Sequence, residues 1–242
     1  MALTTKAHTL WTGNASAGTV STMIVFAADN HYGTHAGAAL YECIRDAYDI
    51  AFCEDDFSLL GDADLMGRCT LLMLNMIAGT CGVDPPGPEA ETHVRAYVRR
   101  GGHLLLLHGS SAAFWHWDWW RPLVGHRWVR PDDPDGVPQS EHPTRPYRVN
   151  VAKCPHPLCA LLKDMALPED EIYMRLEQTC PATTLMETTT GEGTFVQCYE
   201  TVTPAGGTVI GFLPGHRPHV VTCGVMLANV RVLIDYLLER AD

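Results

Sequence analysis

His108 closes an unbroken run of four leucines, Leu104 to Leu107, and is followed by Gly109-Ser110-Ser111. An imidazole at the end of an apolar segment, with a tight turn of free backbone N–H groups behind it, could move a proton or steady an anion. His216, in Leu213-Pro214-Gly215-His216-Arg217-Pro218, could serve as acid, base or neutral metal ligand. His31 and His35 stand four residues apart, the spacing of two ligands on one helical turn. Glu171, beside Glu169 and Asp170, is a carboxylate that could take a proton or hold a metal if it turned inward. The expected acid–base groups are therefore His108, His216 and Glu171. The expected ligands of a divalent metal, zinc or manganese, are His31, His35, His108 and His216.

Each residue also has a plainer reading. His108 could be a core histidine bonded to a neighbouring carbonyl, His216 a solvated loop residue, and His31 and His35 part of an exposed helix start. Glu171 could be one of three solvated acids. Asn75 and Ser110 follow apolar runs and are expected substrate contacts. Trp117, in the aromatic patch Phe114-Trp115-His116-Trp117-Asp118-Trp119-Trp120, could stack on a sugar face or simply wedge the sheet edge closed.

These residues need strands to carry them. Ser21–Ala28, Tyr48–Cys53, Cys69–Met76 and His103–His108 are short apolar runs of the kind buried in a parallel sheet. Between them, Ala36, Ala39, Leu40, Cys43, Ile44 and Ala47 mark one helical face, and Ala90, Val94, Tyr97 and Val98 mark another that stops at Gly101-Gly102. Further strands are expected at Tyr147–Val151, Glu171–Leu176, Thr183–Glu187, Phe195–Glu200 and Thr208–Leu213. A closing helix would bury Leu227, Val230, Ile234, Leu237 and Leu238. Alternating strand and helix predicts a doubly wound α/β fold, its sheet mostly parallel with helices on both faces. In such sheets ligands bind outside the carboxyl ends of the strands, where His31, Asn75, His108 and His216 fall. The irregular stretch from Ser111 to Thr144 is long enough to be a lid or a substrate wall. Residues 1–20 read as an N-terminal extension and 21–242 as a single domain.

Composition narrows the partners. The net charge of −11, with 17 basic against 28 acidic residues and no basic block, argues against nucleic acid. Nine cysteines without a C-x-x-C pair suit reduced thiols. No run reaches the roughly 18 apolar residues that span a bilayer. A cytoplasmic location, a small-molecule partner and no membrane association are expected, with homo-oligomerisation left open.

Taken in order, GGHLLLLHGSSAAFW, WWRPLVGHRW, HPLCALLKDMALPEDEIY and GGTVIGFLPGHRP resemble the motifs of the bacterial ThuA-like (trehalose utilisation) family, part of the class I glutamine amidotransferase-like superfamily, whose fold is flavodoxin-like. The resemblance puts His108, His156, Glu171, Tyr173, Gly215 and His216 at characteristic family positions and makes Tyr173 a further substrate contact; His156-Pro157 could also simply shape a turn. The superfamily's cysteine elbow is replaced by Leu107-His108-Gly109-Ser110-Ser111, and Gly215-His216-Arg217-Pro218 lacks the glutamate of its His-x-Glu pair. Glutamine hydrolysis through a thiolate is therefore not expected. Family association with disaccharide use through 3-keto sugars implies isomerisation, or eliminative or hydrolytic cleavage, of a carbohydrate or keto-sugar by acid–base, metal-assisted chemistry. A non-catalytic sugar-binding protein, and a residual hydrolase using Ser110 or Ser111, are the competing expectations.

Overall fold

A computed structural model describes residues 22–241, so the expected N-terminal extension lies outside the described residues. In chain order the elements are β1 (Ile24–Ala28), α1 (Ala36–Ile44), β2 (Ile50–Glu54), α2 (Ser58–Gly61), α3 (Ala63–Arg68), β3 (Leu71–Asn75), α4 (Pro88–Arg99) and β4 (His103–Leu107). A 3-10 turn at His108–Ala112 precedes β5 (His126–Arg127), β6 (Thr144–Val151), α5 (Pro157–Leu161), β7 (Met165–Glu171) and β8 (Glu177–Gln178). The chain closes with β9 (Thr183–Thr190), β10 (Gly193–Val202), β11 (Thr208–Phe212), α6 (Pro218–Val221) and α7 (Gly224–Leu238).

One nine-stranded sheet, ordered β2-β1-β3-β4-β11-β10-β9-β6-β7, organises the fold; β5 and β8 form a separate pair. From β2 to β11 neighbours run parallel, and β1, β3, β4 and β11 are buried throughout, as strands covered on both faces must be. Alternate residues of β1 serve two cores. Ile24 and Phe26 pack with α1 and α7 residues such as Leu40 and Ile234, while Val25 and Ala27 pack with Leu60, Val94 and Tyr97 of α2 and α4. This is the doubly wound α/β architecture, a large mixed sheet with helices on both faces.

Beyond β11 the sheet continues through antiparallel hairpins. Here the structure corrects the expected strand Glu171–Leu176: β7 runs from Met165 to Glu171, so Glu171 ends a strand rather than opening one. Pro168 and three acids disguise this segment, but β7 is an edge strand, where a missing ladder N–H is tolerated. In α7 the buried face is turned from the expected one: Met226, Asn229 and Leu233 are buried with Val230, Ile234 and Leu237. All nine cysteines are free thiols. Among the described residues no helix is long and apolar enough to cross a membrane.

Candidate functional site

Three strand ends and one hairpin converge. His31 follows β1 by three residues, His108 follows β4 directly, His216 lies four residues past β11, and Glu171 is the last residue of β7. His31 and His108 both take φ of +44°, a left-handed conformation that costs a side-chain-bearing residue of order 1–3 kcal/mol and is held only where packing enforces it. Gly109 explains part of that enforcement: a Cβ there would come 2.7 Å from His31 Cε1, so the glycine lets the His31 ring lie on the turn.

One potential ligand atom from each of His31, His108, Glu171 and His216 lies within 4.8 Å of all the others. His216 Nδ1 is 3.3 Å from His108 Nε2 and 3.4 Å from Glu171 Oε2, and His108 Nε2 is 3.5 Å from the same oxygen. Four donors about 2.1 Å from a tetrahedral ion stand about 3.4 Å apart, so these three separations already suit zinc-like coordination. His31, whose ligand atom is within 4.8 Å of the other three, must close by at most about 1.4 Å to join them on that geometry. His31 Nδ1 is buried without a hydrogen-bond partner, an arrangement that costs about 1–3 kcal/mol if nothing occupies it.

Neighbouring groups fix the His108 ring and the loops that carry His216 and His31. His108 Nδ1 is 2.8 Å from the Leu213 carbonyl oxygen, which can only accept, so in the neutral ring Nδ1 carries the proton and the Nε2 lone pair faces the site. Asp170, fully buried, accepts the backbone N–H groups of Gly215 at 2.9 Å and His216 at 3.0 Å, fastening the β11 loop to β7. Asp29 accepts from the N–H groups of His31 at 3.1 Å and Ile77 at 2.7 Å.

Electrostatics favour neutral rings at His31 and His216 beside an ionised carboxylate. Burial, and then repulsion from His108 and His216, pushes His31 down to about 2. Burial, with His108 beside it, lowers His216 as well. Burial alone would raise Glu171, but the neighbouring His108 and His142 rings outweigh it and hold the carboxyl well below the usual range. His142, whose Nδ1 is 3.1 Å from Glu171 Oε1, is raised by that hydrogen bond.

The cluster opens into a cavity of about 520 Å³, large enough for a sugar-sized ligand. Its lining includes Tyr173, which was expected, and Tyr32, Trp128, Arg130, Gln139 and His142, which were not. Trp128, Arg130 and Gln139 come from the 111–144 stretch, which forms one wall. His142 was invisible in sequence because its place depends on register: Thr144 pairs with Glu171 across the β6–β7 hairpin, so residues just before β6 lie beside the end of β7.

Other expected residues lie elsewhere. His35 sits at the start of α1, half exposed, with Nδ1 2.7 Å from Glu54 Oε2 and outside the four-residue cluster. The four-residue spacing fails because His31 precedes the helix, so no helical turn aligns the two. Trp117 is buried, stacked on Phe114 with ring centroids 3.9 Å apart, and belongs to the core beneath α4. Asn75 and Ser110 are buried below the cavity, the Ser110 hydroxyl accepting from Met76 N–H at 3.1 Å. Ser111 is buried too, with an unpartnered Oγ.

The class of protein follows from this frame. Among solved structures the chain resembles a GMP synthase protein from Thermoplasma acidophilum, at TM-score 0.51 and 12% identity over 90% of this chain and 96% of that one. The fold is thus that of the glutamine amidotransferase-like proteins. It resembles more strongly two crystal structures of ThuA-like proteins. One, from Parabacteroides merdae, has TM-score 0.69 and 15% identity over 90% of each chain; the other, from Bacteroides uniformis, has 0.67 and 12% over 94% of this chain and 95% of that one. A search of curated proteins by sequence gives no match. The family model for ThuA, trehalose utilisation, matches residues 22–227, and the chain belongs to that family.

Proposed function

We propose that the chain is an enzyme acting on a carbohydrate or keto-sugar through acid–base chemistry, assisted by a divalent metal. The observation that carries this reading is the convergence of His31, His108, His216 and Glu171 within 4.8 Å beside one cavity, which His31, Glu171 and His216 line. Three neutral imidazoles would hold zinc or manganese, leaving a position open toward the cavity. A bound ion would supply charge stabilisation for an oxygen that becomes negative during the reaction.

The chain's own residues supply the proton chemistry. Glu171, ionised and aimed at the cluster through Oε2, removes a C–H proton made acidic by a neighbouring ketone. His142, hydrogen-bonded to Oε1 and open to solvent, exchanges protons with it. In isomerisation the proton returns to the adjacent carbon; in eliminative cleavage the C–O bond to the leaving sugar breaks and its oxygen takes a proton from His142. The proton-returning role expected of His216 falls better to His142, because burial keeps His216 neutral and inside the donor set. Tyr173, its ring 4.5 Å from His108 and 4.8 Å from Trp128, joins these to form an aromatic floor for a sugar face.

The test is metal analysis by mass spectrometry of the purified protein and of His108→Ala, with turnover of 3-keto-glycosides measured in parallel. About one zinc or manganese per chain, lost with activity in the variant, is expected. A folded, metal-loaded protein that binds sugars and never turns over a keto-sugar would leave a binding protein instead.

A further inference from the structure

Arg130 is the one arginine or lysine among the described residues that line the cavity, whose lining also includes Glu171. Other arginines in this region are matched: Arg121 and Arg127 pair with Asp133, and Arg217 with Glu169. Arg130 Nε and Nη2 are instead buried without a hydrogen-bond partner among the described residues. Its guanidinium carbon lies over the Trp115 ring, 4.7 Å from the centroid, a contact that uses no N–H group. The group is already partly desolvated: burial pushes its pKa down, and the more distant attraction of Tyr32 and Asp132 only partly opposes this.

A desolvated cation with unused donors, preorganised in a cavity of an acidic protein, is an oxyanion receptor. A neutral sugar hydroxyl satisfies one N–H; a carboxylate or phosphate satisfies two and neutralises the charge. Resting on the reading of the cavity as a sugar site, we propose that the substrate carries a negatively charged group, a carboxylate or a phosphate, that Arg130 binds in a bidentate manner while the sugar lies toward Glu171 and the histidine cluster.

The test is calorimetric titration of the full chain with glucose, glucuronate and glucose 6-phosphate, repeated on Arg130→Ala and Arg130→Lys, with metal content and melting temperature as controls. At least one acid is expected to bind about 10-fold or more tighter than glucose, as one charge-assisted bidentate contact implies. Which acid wins identifies the oxyanion. The preference should vanish in Arg130→Ala at unchanged metal content and melting temperature, and persist in part in Arg130→Lys. Equal affinity for glucose and both acids, no binding of any of the three, or an acid preference that survives Arg130→Ala would each overturn the proposal. An acid preference that depends on Arg130, in a protein that turns over no keto-sugar, would sustain this inference while the proposed enzymatic function failed.

Discussion

The parallel and antiparallel halves of the sheet give the site different things. From the parallel half, β1, β4 and β11 deliver His31, His108 and His216, three imidazoles that are buried or nearly so and oriented from below by Asp29, the Leu213 carbonyl and Asp170. From the antiparallel half, the β6–β7 hairpin delivers Glu171 and His142, the latter half exposed. The first group, in which burial lowers the pKa of His31 and His216, suits holding an ion; the second pairs an ionised carboxylate with a half-exposed histidine and suits moving protons. The proposed function thus draws ligation and proton transfer from different kinds of strand pairing.

The sharpest way to break that division is to compare His108→Ala with Glu171→Gln. His108→Ala should remove both metal and turnover, the latter by about 10²–10⁴-fold, because ligand and acid–base losses fall in that range. Glu171→Gln should lower kcat by a similar factor yet leave metal content near its original value. Metal loss in both variants, read by mass spectrometry beside the kinetics, would show that the carboxylate belongs to the ligand set and that the two halves are not separate.

A second comparison separates a site histidine from a packed one. His126 of β5 is buried against Tyr199, neither ring nitrogen has a hydrogen-bond partner, and burial lowers it to about 4. His31 is lowered too, but its ring lies in a cavity with other donors, which His126 lacks; a depressed pKa alone does not mark a site. The folded His126 refuses a proton that the unfolded chain accepts near 6.5. Its contribution is therefore intact above that pH and is lost as pH falls from about 6.5 to about 4, by up to about 3 kcal/mol. Urea denaturation of wild type and His126→Phe across this window should show a shallower pH slope in the variant; parallel slopes would mean that His126 titrates normally.

What the sequence disclosed follows the same divide. Strands of the parallel half are buried on both faces, so they read as apolar runs, and the residue types at their ends were open to inspection: His31, His108 and His216 stand in the cluster. The antiparallel half follows no such rule. Glu171 was recognisable by type and by family resemblance, but Pro168 and the acids beside it hid the strand it ends, and His142 and Arg130 lie in an irregular stretch with no periodicity. Their placement depends on hairpin register and on a long connection folding over the sheet, neither of which local pattern encodes. On its Nδ1 side His108 answers to the plainer reading, a bond to a carbonyl, while Nε2 is left beside His216 Nδ1 and Glu171 Oε2.

Asp170 spans the two halves, binding the β11 loop from β7 through two backbone N–H groups. Asp170→Ala should leave those donors unpaired, loosen His216 and weaken metal binding by about 10–100-fold, the usual scale for a residue that orients a ligand. Competition with a chelator would measure it, and undiminished affinity would show that Gly215, at φ +115° and too close to Val221 for a Cβ, fixes the loop alone.

The smallest effect tests the spacing argument itself. His35 shares a loop and a four-residue spacing with His31, yet its ring turns outward to Glu54, where an exposed pair contributes only about 0–1 kcal/mol. His35→Ala should therefore change stability by about 0.5 kcal/mol or less and leave metal content and turnover as they were. His31→Ala, in contrast, should release the metal, since it removes one of three nitrogen donors from the group that lies mutually within 4.8 Å. If instead His35→Ala strips the ion, the loop after β1 must rearrange on binding so that its left-handed residues, His31, Tyr32 and His35, swing the second histidine inward. The strained backbone there would then be a hinge rather than a fixed seat, and the division between an ion-holding parallel half and a proton-moving hairpin would have to be abandoned.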